Sequence, residues 1–432
     1  MALTGRLPLL LLLGIVPVVL RPSMGTVWLW LLTVALVGAL DWWRAPRPAT
    51  LSLARRPVPT TRLGQPAESA LTVVNDGARR IDALLRDAWQ PSAGATGNRH
   101  RVRLAAGERA VLRTTLLPRR RGDLQAVGVT VRARGPLGLV CRQWTAPVPG
   151  AVRSLPPFDS RKHLPSRLAR LRDLDGRSAV RVRGQGTEFD SLREYVRGDD
   201  VRSIDWRASA RNRTVVVRTW QPERDRRVVL VLDTSRTSAG RVGSGDGVPR
   251  LDSAMDAALL LAALAARAGD RVDFVAGDRR VRARLRSHTL DVSARLQEQM
   301  ADLEPVIAEA DWPGLVAAIT GLGRQRALVV LLTPLEPAAV EDGLLPVLAA
   351  LTAHHRVVLA SVRDPDLESL ATARGDLDEV YDAAAAEQAL ARRRRTAQLL
   401  VALGVDVLDA DAESLPPVLA DHYLALKARG LL

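Results

Sequence analysis

The chain has 432 residues, 47% of them hydrophobic, a length that allows roughly two to four domains with packed cores. Cys141 is the only cysteine, which excludes an intramolecular disulfide and a metal cluster held by several thiolates. The net charge is +15, with basic residues concentrated before residue 228 and acidic residues in excess after it. This basic part indicates a polyanionic partner, either nucleic acid or an anionic membrane surface.

Two apolar runs open the chain, at residues 7–20 and 24–40. Each is slightly shorter than the roughly 20 residues that span a bilayer as a helix. A signal peptide is the alternative interpretation, but no small-residue cleavage site is present and a second apolar run follows at once. Tryptophans of the kind found at membrane interfaces accompany the second run: Trp28, Trp30, Trp42 and Trp43. We therefore predict a transmembrane helical hairpin over residues 1–44.

The arginines around these runs predict an orientation. Arg21 alone lies in the turn, whereas five arginines follow the second run: Arg44, Arg47, Arg55, Arg56 and Arg62. The positive-inside rule then places most of the chain on the cytoplasmic side of an inner or plasma membrane. An arginine beside an anionic leaflet gains about 1 kcal/mol, so the membrane surface accounts for much of the basicity.

Residues 45–150 alternate apolar and polar residues between short turn signals. Asn75-Asp76-Gly77 and Ala106-Gly107-Glu108 are typical of turns between strands. The pattern predicts a small antiparallel β-sandwich. We interpret the triplet Arg119-Arg120-Arg121 as a solvated or lipid-facing patch.

Residues 228–432 alternate strand and helix patterns. The runs "RVVLVLD" and "RALVVLLT" are apolar throughout, as expected for strands covered on both faces. The series predicts an α/β doubly wound, mostly parallel sheet with helices on both sides. Ligands of such folds bind at the carboxyl ends of the strands.

The first of these strands runs into a motif of oxygen-bearing side chains, Asp233-Thr234-Ser235-Arg236-Thr237. It resembles the cation site of von Willebrand factor A-type domains, which hold a divalent ion through Asp-x-Ser-x-Ser, a separate Thr and a later Asp. Asp233 and Ser235 match, and Thr237 keeps the hydroxyl of the final Ser. The resemblance implies a von Willebrand factor A-like domain and a possible Mg²⁺ site at Asp233, Ser235 and Thr237.

The later Asp of that family is missing. The strand "RALVVLLT" runs into Thr333-Pro334-Leu335-Glu336, in which Glu336 is the nearest carboxylate and the separate Thr has no clear counterpart. A partial set of carboxylates and hydroxyls loses much of its coordination. The alternative is that Asp233 braces its own loop and holds no metal.

Residues 151–227, which we call the collar, contain "GTEFDSLREYVRGDDVRSIDWRASARNR". The spacing of Phe189, Leu192 and Tyr195 predicts a short helix. Gly198 ends it, and Asp199 or Asp200 then caps a second short helix. The following strand is expected to form a hairpin with the first strand of residues 228–432.

This stretch resembles the signature of domain-of-unknown-function family 58. The matching positions are Gly186, Glu188, Phe189, Leu192, Arg193, Tyr195, Gly198, Asp199, Asp200, Arg202, Ile204, Asp205, Trp206, Ala208, Ser209, Ala210 and Arg211. The resemblance implies a bacterial membrane protein that works with a MoxR-class AAA+ ATPase. The biochemical activity of the family is largely undefined.

We therefore expect a non-enzymatic adaptor on the cytoplasmic face of the membrane. A signature network of ion pairs and caps is expected to lock the collar to the α/β domain. Its members are Glu188, Arg193, Tyr195, Asp199, Asp200, Arg202, Asp205, Trp206 and Arg211.

Two other functions are weighed against the adaptor. A metal-dependent hydrolase would use Asp199, Asp200 and Asp205 with His163, but interleaved arginines would neutralise these carboxylates and no nucleophile–base pair is visible. Nucleic-acid binding by residues 151–227 would use arginines and aromatic residues. Acidic residues are mixed among them and no nucleic-acid motif is present, so no specific nucleic acid is expected.

Overall fold

The computed structural model describes residues 2–181, 188–212, 214–221, 226–245, 247–287, 290–323 and 325–432. The chain divides into two compact units, Met1–Leu155 and Pro156–Leu432. Gly186 of the signature lies outside the described residues, and so does the side chain of Glu188.

Three helices begin the first unit: α1 (Arg6–Leu12), α2 (Ile15–Leu20) and α3 (Met24–Arg44). Among the described residues, only the segment Met24–Thr50 is long and apolar enough to cross a membrane. A membrane span and an N-terminal signal sequence both have this length and composition. The second apolar run is thus confirmed as one long helix, whereas Arg6–Leu20 is a shorter apolar stretch.

The carboxylate of Asp41 ties α3 to the strands that follow. This buried side chain accepts hydrogen bonds from the backbone N–H groups of Leu137 (2.7 Å), Leu139 (2.8 Å) and Val140 (3.0 Å). A Cβ at Gly135 would overlap the Asp41 carboxylate, so the turn needs glycine there. A buried carboxylate with several charge-assisted hydrogen bonds stabilises the junction that it forms.

The strands of the first unit form two sheets. The seven-stranded sheet contains β1 (Ala2–Leu3), β3 (Thr61–Arg62), β5 (Ile81–Trp89), β6 (Arg99–Leu104), β8 (Gly122–Arg134), β9 (Val140–Ala146) and β10 (Ala151–Leu155). The three-stranded sheet contains β2 (Leu51–Arg55), β4 (Ala67–Asn75) and β7 (Arg109–Leu116). All pairs are antiparallel except β10 with β3. The predicted antiparallel sheets and both predicted turns are confirmed, and the collar's first five residues form β10.

A core between the two sheets explains why residues 45–150 alternate. Leu71 and Val73 of β4 face Leu85 of β5 and Val131 of β8, all fully buried. Strand residues alternate between the two sides of a sheet, so the polar residues between them face away from this core.

A buried ion pair interrupts the apolar interior of the sandwich. Arg55 binds Asp87 through two hydrogen bonds (2.6 and 2.9 Å), and each side chain is only 1% exposed. Trp89 Nε1 and Thr114 Oγ1 also donate to Asp87. Burial raises the pKa of Asp87, but these donors and the charge of Arg55 outweigh burial and lower that pKa. Arg55 therefore lies inside the sandwich. This corrects the prediction from the charge pattern, which placed Arg55 beside the membrane surface.

We predict that Asp87→Asn destabilises the protein by about 3–5 kcal/mol, because it leaves the buried Arg55 guanidinium without its counter-charge. Chemical denaturation of the full chain in detergent measures the loss. The matched control is Glu68→Gln in the exposed Arg113–Glu68 pair, which is expected to cost less than about 1 kcal/mol. Equal losses of stability in the two variants, or no loss in Asp87→Asn, would contradict the conclusion that the buried Asp87 carboxylate stabilises the fold by pairing with Arg55.

The second unit is built on a six-stranded sheet. Its strands are β13 (Arg227–Asp233), β16 (Arg271–Gly277), β17 (Val281–Ser287), β18 (Leu328–Leu332), β19 (Arg356–Val362) and β20 (Val405–Ala410). Their order is β17-β16-β13-β18-β19-β20, and every pair is parallel except β16 with β17. Two short pairs lie outside it: β11 (Glu188–Glu194) with β12 (Val216–Gln221), and β14 (Arg241–Val242) with β15 (Val248–Pro249).

Helices cover both faces of this sheet. The helices of this unit are α4 (Leu164–Arg181), α5 (Trp206–Asn212), α6 (Arg250–Arg267), α7 (Val292–Met300), α8 (Trp312–Thr320), α9 (Pro337–Ala339), α10 (Leu345–Thr352), α11 (Asp366–Thr372), α12 (Leu377–Ala402) and α13 (Leu415–Ala428), of which α5 lies beside β12 of the collar. Leu230 and Leu232 of β13 pack with α6, α7 and α13, while Val229 and Val231 pack with α8 and α10. The predicted α/β region with helices on both faces is confirmed.

Candidate functional site

Three hydroxyl-bearing residues surround the carboxylate of Asp233 at the end of β13. Thr333 Oγ1 donates to Asp233 Oδ2 (2.7 Å), and Thr237 Oγ1 donates to the same oxygen (3.1 Å). The backbone N–H of Ser235 donates to Oδ1 (2.8 Å), and the Ser235 and Thr237 hydroxyls lie 3.1 Å apart. The structure thus brings the predicted Asp233, Ser235 and Thr237 together and adds Thr333 to them.

The topology of the sheet explains this position. The chain passes from β13 to its neighbour β16 on one side and later returns to β18 on the other side. The strand order therefore reverses between β13, which ends at Asp233, and β18, which is followed by Thr333. In open α/β sheets this switch point is where ligands bind.

The Asp233 carboxyl is buried together with its three hydroxyl neighbours. Burial raises its pKa, and the hydrogen bonds from Thr333, Ser235 and Thr237 offset part of that rise. The cluster borders a cavity of about 300 Å³, whose wall also includes Trp312 and the ion pair of Arg236 with Glu309.

The donor set suits a hard cation in kind but holds little negative charge. A carboxylate and three hydroxyls are oxygen ligands of the type that Mg²⁺ accepts. In the described part of the chain, no group of three or more His, Cys, Asp or Glu side chains could hold a metal ion. A cation at Asp233 would therefore need further oxygens from water or from a partner.

The first half of the collar signature is a strand, so the predicted helix is wrong. Residues Glu188–Glu194 form β11 and pair with β12, with a register shift between Phe189 and Ser191. The shift breaks the alternation of a strand and leaves Phe189 and Leu192 at a helix-like spacing. The predicted hairpin with the central strand is also wrong, because β12 pairs with β11 and β13 pairs with β16 and β18.

The three signature aspartates each bind neighbouring groups. Asp199 accepts from Arg193 (2.5 Å) and from the N–H of Val196, and Asp200 accepts from the N–H of Arg202 as the predicted cap. Asp205 accepts from the N–H groups of residues 207 and 208 and from Arg218 (2.8 Å). The Arg193 hydrogen bond lowers the pKa of Asp199, and the N–H of residue 208 with Arg218 lowers that of Asp205.

These contacts are local and lie at the surface, which corrects the expectation of a buried lock between the collar and the α/β domain. The Arg193 and Arg218 side chains are 48% and 47% exposed. Surface ion pairs contribute little to stability because water screens them. Arg211 is likewise exposed, and the described hydrogen bonds of Asp199, Asp200 and Asp205 stay within residues 193–218.

The carboxylates are not assembled with His163 as the hydrolase alternative requires. His163 ends the 3₁₀ turn Asp159–His163 before α4, and no described hydrogen bond links it to Asp199, Asp200 or Asp205. Each of these aspartates binds arginine or backbone N–H groups instead.

Sequence reasoning missed how exposed the apolar residues of the collar are. Val196, Val201 and Trp206 are 61%, 63% and 67% exposed, and Leu192 and Tyr195 are about 40% exposed. Charged residues on both sides of Val201 and of Trp206 were the available signal, because such flanks are unusual for core positions.

Comparison with protein families identifies the chain. The family described as "Protein of unknown function DUF58" matches residues 191–417, which include most of the signature and all six strands of the sheet with the order β17-β16-β13-β18-β19-β20. The chain belongs to the DUF58 family. No curated protein matches this DUF58 chain.

The solved structures that match this DUF58 protein include three that cover about a quarter of it. PapD-like domain 7 of human CEP192 is 18% identical, with 26% of this chain and 89% of that chain covered and a TM-score of 0.19. The CARDB domain of the PF1109 protein from Pyrococcus furiosus, solved with di-metal ions, is 16% identical, with coverages of 26% and 94% and a TM-score of 0.19. A FixG-related protein from Vibrio parahaemolyticus is 8% identical, with coverages of 24% and 96% and a TM-score of 0.18. Likeness at these TM-scores carries no argument about fold or function.

We predict that Thr333→Val, measured with EDTA present, destabilises the protein by about 1–3 kcal/mol at pH 7, because a buried carboxylate loses a hydroxyl donor. The pKa of Asp233 is raised in the folded state, so its charged form costs stability once the pH exceeds that pKa. The penalty of Thr333→Val should therefore shrink as the pH falls and Asp233 becomes protonated.

The control is Thr320→Val, since the Thr320 hydroxyl is exposed and donates a hydrogen bond to the carbonyl of Val316 in its own helix. Denaturation curves of both variants over a series of pH values from neutral to acidic make the comparison. A Thr333→Val protein as stable as the wild type at pH 7 would show that the hydroxyl does not support Asp233.

Proposed function

We propose that this protein is a membrane-anchored, non-enzymatic adaptor whose second unit binds a protein partner, and that the partner is a MoxR-class AAA+ ATPase. The ATPase follows from the family resemblance. The exposed apolar surface of the collar supports the binding of a protein partner.

The exposed apolar residues of the collar carry this proposal. Val196, Val201 and Trp206 are each more than 60% exposed and lie within eleven residues of sequence. Large apolar side chains that stay exposed among polar ones mark interaction sites. Tryptophan, tyrosine and arginine are also the residues that dominate protein–protein binding energy.

The ion pairs beside these residues suit the polar rim of an interface. Arg193–Asp199 and Arg218–Asp205 fix the turn before α5 and the end of β12 without burying any of the apolar residues. A rim of this kind contributes specificity and association rate more than affinity. The apolar residues would then supply the affinity.

The cavity at Asp233 offers a second contact on the same unit. By resemblance to von Willebrand factor A-type domains, a Mg²⁺ ion held by Asp233, Ser235, Thr237 and Thr333 would be completed by a carboxylate of the partner. One carboxylate among the ligands leaves positive charge on such an ion, which would favour an acidic partner residue. The hydroxyls would have to turn from Asp233 toward the ion.

We predict that Trp206→Ala weakens binding to the MoxR-class ATPase of the same genome by at least about tenfold, as for a central anchor of an interface. Binding is measured by interferometry with the full chain in detergent. Tyr381→Ala is the matched control, since Tyr381 is an equally exposed (69%) aromatic residue of the same unit in α12.

Wild-type affinity in Tyr381→Ala and loss in Trp206→Ala would support the collar as the contact surface. No binding by the wild type would overturn the ATPase assignment. If both variants bind the ATPase with wild-type affinity, Trp206 does not lie in the contact surface.

The anchor of the proposed adaptor is the helix within Met24–Thr50, with Arg6–Leu20 as the first half of a hairpin. Arginine predominates after this helix, so the positive-inside rule places the second unit in the cytoplasm.

We predict that green fluorescent protein fused to the C-terminus is fluorescent in bacterial cells and sediments with the membrane fraction. Alkaline phosphatase at the same position is expected to be inactive, since that enzyme needs an oxidising compartment. An active phosphatase fusion would show that the orientation is the opposite of the proposed one. A fluorescent fusion that stays in the soluble fraction would show that the proposed anchor is wrong.

A further inference from the structure

A cavity of about 650 Å³ lies at the end of α3 in the first unit. Trp43 and Arg44 from the last turn of α3 line it, as does Arg6 from the start of α1. The turn Gly135-Pro136 forms another part of its wall, and this is the turn that Asp41 holds against α3. The wall is therefore fixed to the helix by the buried Asp41 junction.

Strand register brings further arginines to the same place. Ile81 at the start of β5 pairs with Leu104 at the end of β6, and Ala83 pairs with Ala133 near the end of β8. The residues next to these positions therefore meet at one end of the sheet. Five arginines there line the cavity: Arg79, Arg80, Arg101, Arg103 and Arg134.

The cavity has a large excess of positive charge. Of the described residues that line it, Asp82 is the one with a carboxylate, and it pairs with Arg101 (3.1 Å) and Arg103 (3.3 Å). Burial raises the pKa of Asp82, but the hydrogen bonds and charges of these two arginines outweigh burial and lower that pKa. Asp82 thus stays ionised and is already engaged.

The other lining arginines have no such partner. In the described part of the chain, no carboxylate pairs with Arg44, Arg79, Arg80 or Arg134. Several like charges around one cavity repel each other unless an anion is bound between them.

The chemistry of the wall selects the anion. Guanidinium groups bind phosphate through paired N–H donors, and the volume lies within the range of small-ligand sites. Trp43 is 71% exposed beside the cavity, and exposed tryptophans at the end of an apolar helix are typical of the headgroup level of a membrane. We propose that this cavity binds a phosphate-bearing anion and that its source is the headgroup of an anionic phospholipid.

The lipid source rests on the membrane anchoring proposed above, whereas the phosphate chemistry rests on the cavity alone. Basic cavities beside membrane helices are known to suit anionic headgroups. A bound headgroup would neutralise the arginines and tie the sandwich to the membrane surface beside the helix.

The test uses the full chain in neutral detergent micelles and follows thermal unfolding. Phosphatidylglycerol added to the micelles should raise the unfolding midpoint by about 4 °C over the same amount of phosphatidylcholine, since a ligand of the folded state stabilises it. Inorganic phosphate and glycerol phosphate at matched concentration form the soluble arms.

The variant is Arg80→Gln with Arg134→Gln, which removes two charges from the cavity and should lose most of the phosphatidylglycerol shift. The matched control is Arg86→Gln with Arg99→Gln, because Arg86 and Arg99 are paired on β5 and β6 at the far end of the same strands. The control should keep the full shift. Unfolding in phosphatidylcholine shows whether each variant is folded.

A shift with phosphatidylglycerol that phosphate does not reproduce supports the lipid headgroup. An equal shift with inorganic phosphate supports the phosphate site but overturns its lipid source. No difference between the two lipids, or equal losses in the cavity and control variants, overturns the site. If the fusion protein of the topology test stays soluble, the proposed membrane anchor is wrong. A thermal shift with inorganic phosphate would still be expected in that case.

Discussion

A carboxylate that is buried away from water must be hydrogen-bonded, and the main junctions of this chain depend on that constraint. Asp41 satisfies it with three backbone N–H groups and thereby holds the apolar helix against the β-strands. Asp87 satisfies it with Arg55 inside the sandwich. Asp233 satisfies it with hydroxyls at the switch point of the parallel sheet. In each case at least one partner comes from a distant part of the chain, so the carboxylate fixes tertiary geometry.

The collar follows a different rule. Its aspartates bind nearby arginines and N–H groups in water, where such pairs add little stability. The β11–β12 ladder supports its shape instead. The collar therefore holds Trp206 and its apolar neighbours exposed, an arrangement that costs solubility unless a partner covers it.

The elements that the sequence predicted well are those with an unbroken period. Strands β13 and β18 are apolar throughout, and α6 ends before Gly269, whose φ of 76° suits the end of a helix. The collar strand was missed because its register shift hides the alternation. The partners of Asp41, Asp87 and Asp233 were missed because only the fold brings Leu137, Arg55 and Thr333 to them.

The membrane anchoring proposed above would also account for part of the chain's charge asymmetry. A nucleic-acid surface would need its arginines free and aligned, yet Arg193 and Arg218 of the collar are paired with aspartates. Four arginines that pair with no carboxylate in the described part of the chain, Arg44, Arg79, Arg80 and Arg134, line the cavity at the end of α3, beside an exposed tryptophan. Positive charge placed at the end of an apolar helix lies where an anionic leaflet would neutralise it, so the charge of this cavity fits the membrane anchoring proposed above.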